Sequence, residues 1–146
     1  MINSIDNVGS SVSPQKKTNL IDLFVYGTLR TKGAIGSAMY TSEYVGDNIT
    51  KPKYTMYDLG AFPCIAEKGD TAIYVEHYRV TKTQLLHIDA IESHPRMYKR
   101  KKVTLADGTR GWIYIWNRSD VTLTDRRVIS SGDWLNRHTE ETQNDI

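Results

Sequence analysis

A chain of 146 residues and 16.7 kDa can bury one substantial core but is too short for two ordinary domains. Apolar residues are 39% and charged ones 25%; no run of about 18 apolar residues exists to span a bilayer, and a lone cysteine, Cys64, excludes an internal disulfide and a multi-cysteine zinc site. A formal net charge of +2 argues against a nucleic-acid surface, and an N-terminus without the cationic start and apolar centre of a secretion signal leads us to expect a cytoplasmic protein with no membrane partner.

Residues 1–19 are rich in Ser, Asn and Lys, and residues 136–146 are polar throughout, so both are expected to be mobile tails around a domain at 20–135. Residues 20–26 are nearly continuous in apolar side chains and stop at Gly27, the pattern of a short strand buried on both faces. Gly33 and Gly36 break up a stretch that predicts a short helix at 34–40. Residues 44–45 and 53–59 read as strands, the second with Tyr54, Met56 and Asp58 opposite Thr55, Tyr57 and Leu59; Gly60 and Pro63 then mark a turn. A strand at 71–80 gives way to helical periodicity. Thr81 and Gln84 make a capping-box start, and Leu85, Ile88 and Ile91 recur at helical spacing up to Glu92. Pro95 stops the helix, because proline disfavours helical geometry in the residue before it.

Residues 97–105 and 111–116 pair as a hairpin across Asp107-Gly108, a strong turn signal. In its second strand Trp112, Tyr114 and Trp116 face one way and Ile113 and Ile115 the other, which predicts a central strand covered on both sides. Lys99, Arg100, Lys101 and Lys102 in the first strand suit an exposed edge guarded against sheet-to-sheet association. About six short strands and one helix predict a mixed, β-rich domain, either a barrel or a strongly curled sheet.

Two places can carry chemistry. A glycine straight after a buried strand lets the backbone turn sharply and present N–H groups that no ladder has used, so Tyr26-Gly27-Thr28-Leu29 can hold a carboxylate or a developing oxyanion, with the Tyr26 hydroxyl close by. Glu92 shares a helical face with Leu85 and Ile88, which aims a carboxylate along the stripe that packs on the sheet. In an apolar setting its pKa rises towards neutrality, as a proton shuttle requires. Asp89 lies near the same face and can bind backbone or a tyrosine. The plainer alternatives are an ordinary strand-to-loop glycine and a solvated carboxylate at a frayed helix end. His77, His87, His94 and His138 show no metal-binding spacing, no serine stands in a GxSxG setting, and Cys64 has no evident base partner, so no metal or other cofactor is expected.

YGTLR, GAFPCI, VEHYRV, IDAIESHPRMYKR and SGDW, in that order over residues 22–135, resemble the γ-glutamylcyclotransferase superfamily, including its AIG2-like and γ-glutamylamine branches. The resemblance implies an α+β fold, a small mixed β-barrel of about six strands flanked by helices. It implies that Glu92 is the general acid/base, that Tyr26, Gly27, Thr28 and Leu29 bind a small γ-glutamyl substrate, and that Tyr114 and Arg100 match further pocket positions. The implied reaction is release of 5-oxoproline and a free amine. The sequence departs from the family pattern at residues 34–37 and at Val75, where a glycine is usual. A binding module that has lost turnover is the alternative. Neither the leaving amine nor the oligomeric state is legible.

Overall fold

Alternation along two strands sets the architecture. β1 (Ile21–Val25) sends Leu23 and Val25 into one apolar cluster and Phe24 into another; β7 (Arg110–Trp116) divides Tyr114 from Ile113 and Ile115 in the same way. The two strands run parallel, with Leu23 opposite Trp112 and Phe24 opposite Ile113. They lie inside a five-stranded sheet of order β2-β5-β1-β7-β6, whose other members are β2 (Glu43–Ile49), β5 (Tyr74–Val80) and β6 (Tyr98–Thr104). The remaining pairings in that sheet are antiparallel, which makes it mixed. A three-stranded sheet, β4-β3-β8, comprises β3 (Tyr54–Asp58), β4 (Pro63–Thr71) and β8 (Arg127–Val128). The structure, a computed structural model, describes residues 19–138; of the tails expected at 1–19 and 136–146, residues 1–18 and 139–146 lie outside it. Asn136 belongs to a 3-10 turn, Trp134–Asn136.

Each face of the five-stranded sheet has its own cover. Tyr54, Met56 and Ile65 of the small sheet pack with Phe24, Tyr26, Ile113 and Ile115. On the other side Leu85 and Ile88 of helix α1 (Lys82–Ile91) pack with Leu23, Val25, Tyr78, Val80 and Tyr114. Among the described residues the strands number eight rather than about six, and they form two sheets. The larger one curls until its edges meet at a single isolated bridge, Thr50 with Leu105, without a ladder that would close a barrel among the described residues. The helix expected at 34–40 is only a 3-10 turn, Gly36–Met39. The basic strand β6 does occupy an edge.

Local chemistry fixes the ends of α1. The Thr81 hydroxyl accepts from the Gln84 N–H at 3.1 Å while the Gln84 side chain accepts from the Thr81 N–H at 2.7 Å, satisfying two otherwise orphaned donors. At the other end Glu92 is the C-cap. The Ser93 N–H donates to the Ala90 carbonyl and the His94 N–H to the Asp89 carbonyl, closing a Schellman turn in which Ser93 takes the left-handed conformation, φ 52°, usually left to glycine. Helix termination therefore comes from this turn as well as from Pro95.

Ile113 is fully buried between β1 and the small sheet. Ile113→Ala is expected to lower unfolding free energy by about 2–5 kcal/mol, read from urea titration at unchanged m-value. A loss near zero would mean that the two sheets do not pack as described.

Candidate active site

The end of β1, the end of α1 and the hairpin β6–β7 enclose a cavity of about 220 Å³. That lies just below the usual range for drug-sized ligands and suits a smaller group. Gly27, Thr28 and Leu29 line it together with Glu92, Met97, Tyr26, Phe62, Tyr98 and Tyr114.

The turn after β1 is held from outside. Its carbonyls are used, Gly27 accepting from the Arg30 N–H at 3.0 Å and Thr28 from the Ile35 N–H at 2.8 Å. The N–H groups of Gly27, Thr28 and Leu29 have no protein acceptor among the described residues. Spare main-chain donors beside a cavity are what an anionic or carbonyl group requires. Glu76, only 6% exposed, clamps the loop: its Oε1 accepts from the Thr31 N–H at 2.7 Å and the Thr31 hydroxyl at 3.0 Å, and its Oε2 lies 3.3 Å from Arg30 Nε. Arg30 also reaches Asp133 at 2.9 Å. A side chain at position 27 could not be tolerated without movement, since its Cβ would stand 2.8 Å from Pro63 Cγ.

Glu92 lines the same cavity, part-buried at the C-cap of α1. Its carboxylate has no hydrogen-bond or ion-pair partner among the described residues, and burial raises it from 4.5 to about 7. Asp89, one turn earlier, has the opposite fate. Burial alone would raise it too, but hydrogen bonds from Arg100 and Tyr114, together with the charge of Arg100, outweigh that and hold it below its ordinary value. Arg100 meets both Asp89 oxygens, at 2.7 and 3.0 Å, and the Tyr114 hydroxyl donates to Oδ1 at 2.6 Å.

These contacts leave Tyr26 and Tyr114 at the cavity with their hydroxyls engaged elsewhere, and correct the expectation for Arg100. Arg100 is not part of the cavity wall; it is committed to Asp89 and stacked 4.9 Å from the Trp112 ring. Tyr114 does line the cavity, yet its hydroxyl is turned to Asp89. The Tyr26 hydroxyl donates to the Tyr114 carbonyl at 2.8 Å, so it serves the core rather than the turn. Pattern gives little sign of the wall made by Phe62, Met97 and Tyr98; Tyr98, whose hydroxyl donates to the Pro63 carbonyl at 2.6 Å, is marked only by its place in the IDAIESHPRMYKR stretch. Val75 is a core residue, not a cavity residue. Burial pushes the Cys64 thiol up to about 12, which leaves it unreactive near neutrality. Among the described residues no three His, Cys, Asp or Glu side chains are grouped to hold a metal ion, and no helix is long and apolar enough to cross a membrane.

The family described as gamma-glutamyl cyclotransferase, AIG2-like, matches this chain over residues 23–136. The chain belongs to that family. A Vibrio cholerae protein provisionally named gamma-glutamylcyclotransferase is 37% identical over 115 residues, covering 79% of this chain and 96% of that one. The gamma-glutamylcyclotransferase family protein YtfP of Escherichia coli is 31% identical over 115 residues, with the same coverage of 79% and 96%. In fold, an AIG2-like protein from Mus musculus superposes with a TM-score of 0.62 at 22% identity, over 66% of this chain and 77% of the mouse chain.

Because burial raises Glu92 in the folded state, folding is favoured with this group protonated. Its contribution is intact below about pH 4.5 and lost as pH rises through about 7. Glu92→Gln is expected to match the wild type at pH 4 and to be more stable at pH 8, by up to about 3 kcal/mol, in paired urea titrations. Equal differences at the two pH values would show a solvated carboxylate.

Proposed function

We propose that the protein is a cyclotransferase that converts a γ-glutamyl amine or γ-glutamyl peptide into 5-oxoproline and a free amine, with Glu92 as general acid/base. One observation carries this reading: an unpartnered carboxylate, raised to about 7, lines the same small cavity as three residues whose main-chain N–H groups have no protein acceptor among the described residues.

In this scheme the glutamyl moiety folds back so that its neutral α-amine attacks the γ-carbonyl carbon. The new carbon–nitrogen bond closes a five-membered ring and the carbonyl oxygen becomes an oxyanion. Donors at Gly27, Thr28 and Leu29 meet that charge, each worth roughly 3 kcal/mol if it matches known oxyanion holes. Glu92 takes the proton that the attacking nitrogen loses. As the tetrahedral carbon collapses and the bond to the departing nitrogen breaks, Glu92 passes the proton on, since expelling an amine as its anion is prohibitive. No water is consumed, and Glu92 ends in the state in which it began. The attack is intramolecular, so the enzyme's main task is to hold the folded conformer, and effective molarities for such closures reach on the order of 10⁵ M. Tyr98, Tyr114 and Phe62 supply a wall that excludes water from the shuttle.

Purified protein incubated with γ-glutamyl amines, γ-glutamyl-ε-lysine and γ-glutamyl dipeptides should release 5-oxoproline. kcat/KM should rise through about pH 7 as Glu92 ionises, and Glu92→Gln should lose roughly 10²–10⁴-fold in kcat. Saturable binding of these compounds without product would overturn the catalytic reading and leave a binding module. Full activity in Glu92→Gln would remove that residue from the mechanism.

A further inference from the structure

The turn that carries the three spare donors is anchored by the residue just past them. The Arg30 N–H donates to the Gly27 carbonyl at 3.0 Å, and the Arg30 carbonyl accepts from the Gly33 N–H at 2.7 Å, so its main chain closes one turn behind it and one ahead. Its guanidinium meets two acids from distant parts of the chain, Glu76 Oε2 at 3.3 Å and Asp133 Oδ1 at 2.9 Å. The side chains are 11% exposed for Arg30, 7% for Glu76 and 15% for Asp133, so solvent screens these contacts far less than it would a surface pair.

The two acids come from segments that are fixed to each other. The Tyr74 N–H, at the start of β5, donates to the Gly132 carbonyl at 2.9 Å; Glu76 lies farther along the same strand, and Asp133 directly follows Gly132. Gly132 has φ 71°, and a Cβ there would stand 2.1 Å from the Ala72 carbonyl oxygen, so this segment is pressed onto the connection between β4 and β5. Trp134, 2% exposed, roots the 3-10 turn that follows in the core. The Asn136 amide donates to Asp133 Oδ2 at 2.5 Å, which leaves Oδ1 for Arg30. One cation thus serves two buried carboxylates, and neutral donors from Thr31, Tyr78 and Asn136 meet the remaining charge.

We propose that Asp133, Arg30 and Glu76 form a latch through which the C-terminal 3-10 turn sets the geometry of the main-chain donors at 27–29, and that Asp133 and Arg30 are positioning residues for the reaction. Neither residue lines the cavity. The inference rests on the cyclotransferase reading for what those donors stabilise. Donors that meet a charge only as it develops are effective when they are already in place, and a misplacement of about 1 Å costs on the order of 10²-fold in rate. Main-chain N–H groups cannot correct such an error by changing rotamer. Arg30 follows Leu29 in the chain, so freedom at its Cα passes straight to the donors.

Asp133→Asn keeps the shape of the side chain and removes its charge. With a γ-glutamyl dipeptide as substrate, kcat should fall roughly tenfold or more while KM stays within about twofold, the split expected when an interaction made in the transition state is lost. The rise of kcat/KM through about pH 7 should stay in place, because Glu92 is untouched. Arg30→Lys, which keeps the charge and gives up the fork, should show the same split. Amide hydrogen exchange followed by NMR tests the latch without turnover. In Asp133→Asn it should quicken roughly tenfold at Thr31, whose N–H is held by Glu76, and stay unchanged at Leu85 near the start of α1, whereas a general loss of stability would quicken both. An unchanged kcat, a loss confined to KM, no change at Thr31, or equal quickening at Thr31 and Leu85 overturns the latch. If no γ-glutamyl compound yields 5-oxoproline but Thr31 alone loosens, the cyclotransferase reading fails and the latch stands. No turnover with no change at Thr31 overturns both.

Discussion

Arg100 spends its guanidinium fork on Asp89, one turn before Glu92 on the same helix. With Asp89 taking the guanidinium fork and the Tyr114 hydroxyl, Glu92 is left with apolar neighbours and no counter-charge. The two groups are driven apart by environment alone, one held ionised as a strut and the other poised to exchange a proton near neutrality. Asp89 thereby does two things. It anchors the last turn of the helix to β6 and β7, and it keeps the nearest cation away from the carboxylate next to the cavity.

The opposite wall follows similar logic with the sign reversed. Glu76 is almost fully buried, yet every close partner it has is a donor from Thr31, Arg30 or Tyr78, so the desolvation cost is offset by hydrogen bonds that also fix the loop after β1. With the loop's carbonyls turned inward to Arg30 and Ile35, its N–H groups at 27–29 stay unspent. A buried acid thus rigidifies a turn whose own offering is positive. Pro63 presses on that turn so closely that only glycine fits at position 27.

Much of this was readable from the chain. The alternation at 112–116 announced a central strand covered on two sides, and Thr81 with Gln84 announced the start of α1. The spacing of Leu85, Ile88 and Glu92 placed the acid on the packed face of the helix. Other elements carried no such signal. β4 begins at a proline, contains Gly69 with φ 143° at an irregular register with β3, and leaves its later half exposed, so its composition imitates a turn. Proline is tolerated there because β4 is an edge strand and Pro63 opens it. β8 is two residues long and exists only because β3 has a free side for it. The partners taken by Arg100, Tyr114 and the Tyr26 hydroxyl share one cause for their illegibility. Type and spacing told that these groups lie near the site, but which acceptor each would choose depended on pairings across 11, 25 and 88 residues that no local pattern encodes.

The parallel pairing of β1 with β7 has a bearing on biosynthesis. β1 finds one of its two sheet neighbours only when residues 112 and 113 arrive, and the Tyr26 hydroxyl waits for a carbonyl 88 positions downstream. Closing so long a loop precedes any reward from the contact, which makes the ordering step slow relative to helix formation. A nascent chain can therefore wind α1 and place Asp89 and Glu92 on it while the cavity they border has yet to come into existence. Until β7 arrives the molecule has no chamber, so a chain that stops short of it carries the acid without the enclosure that tunes it.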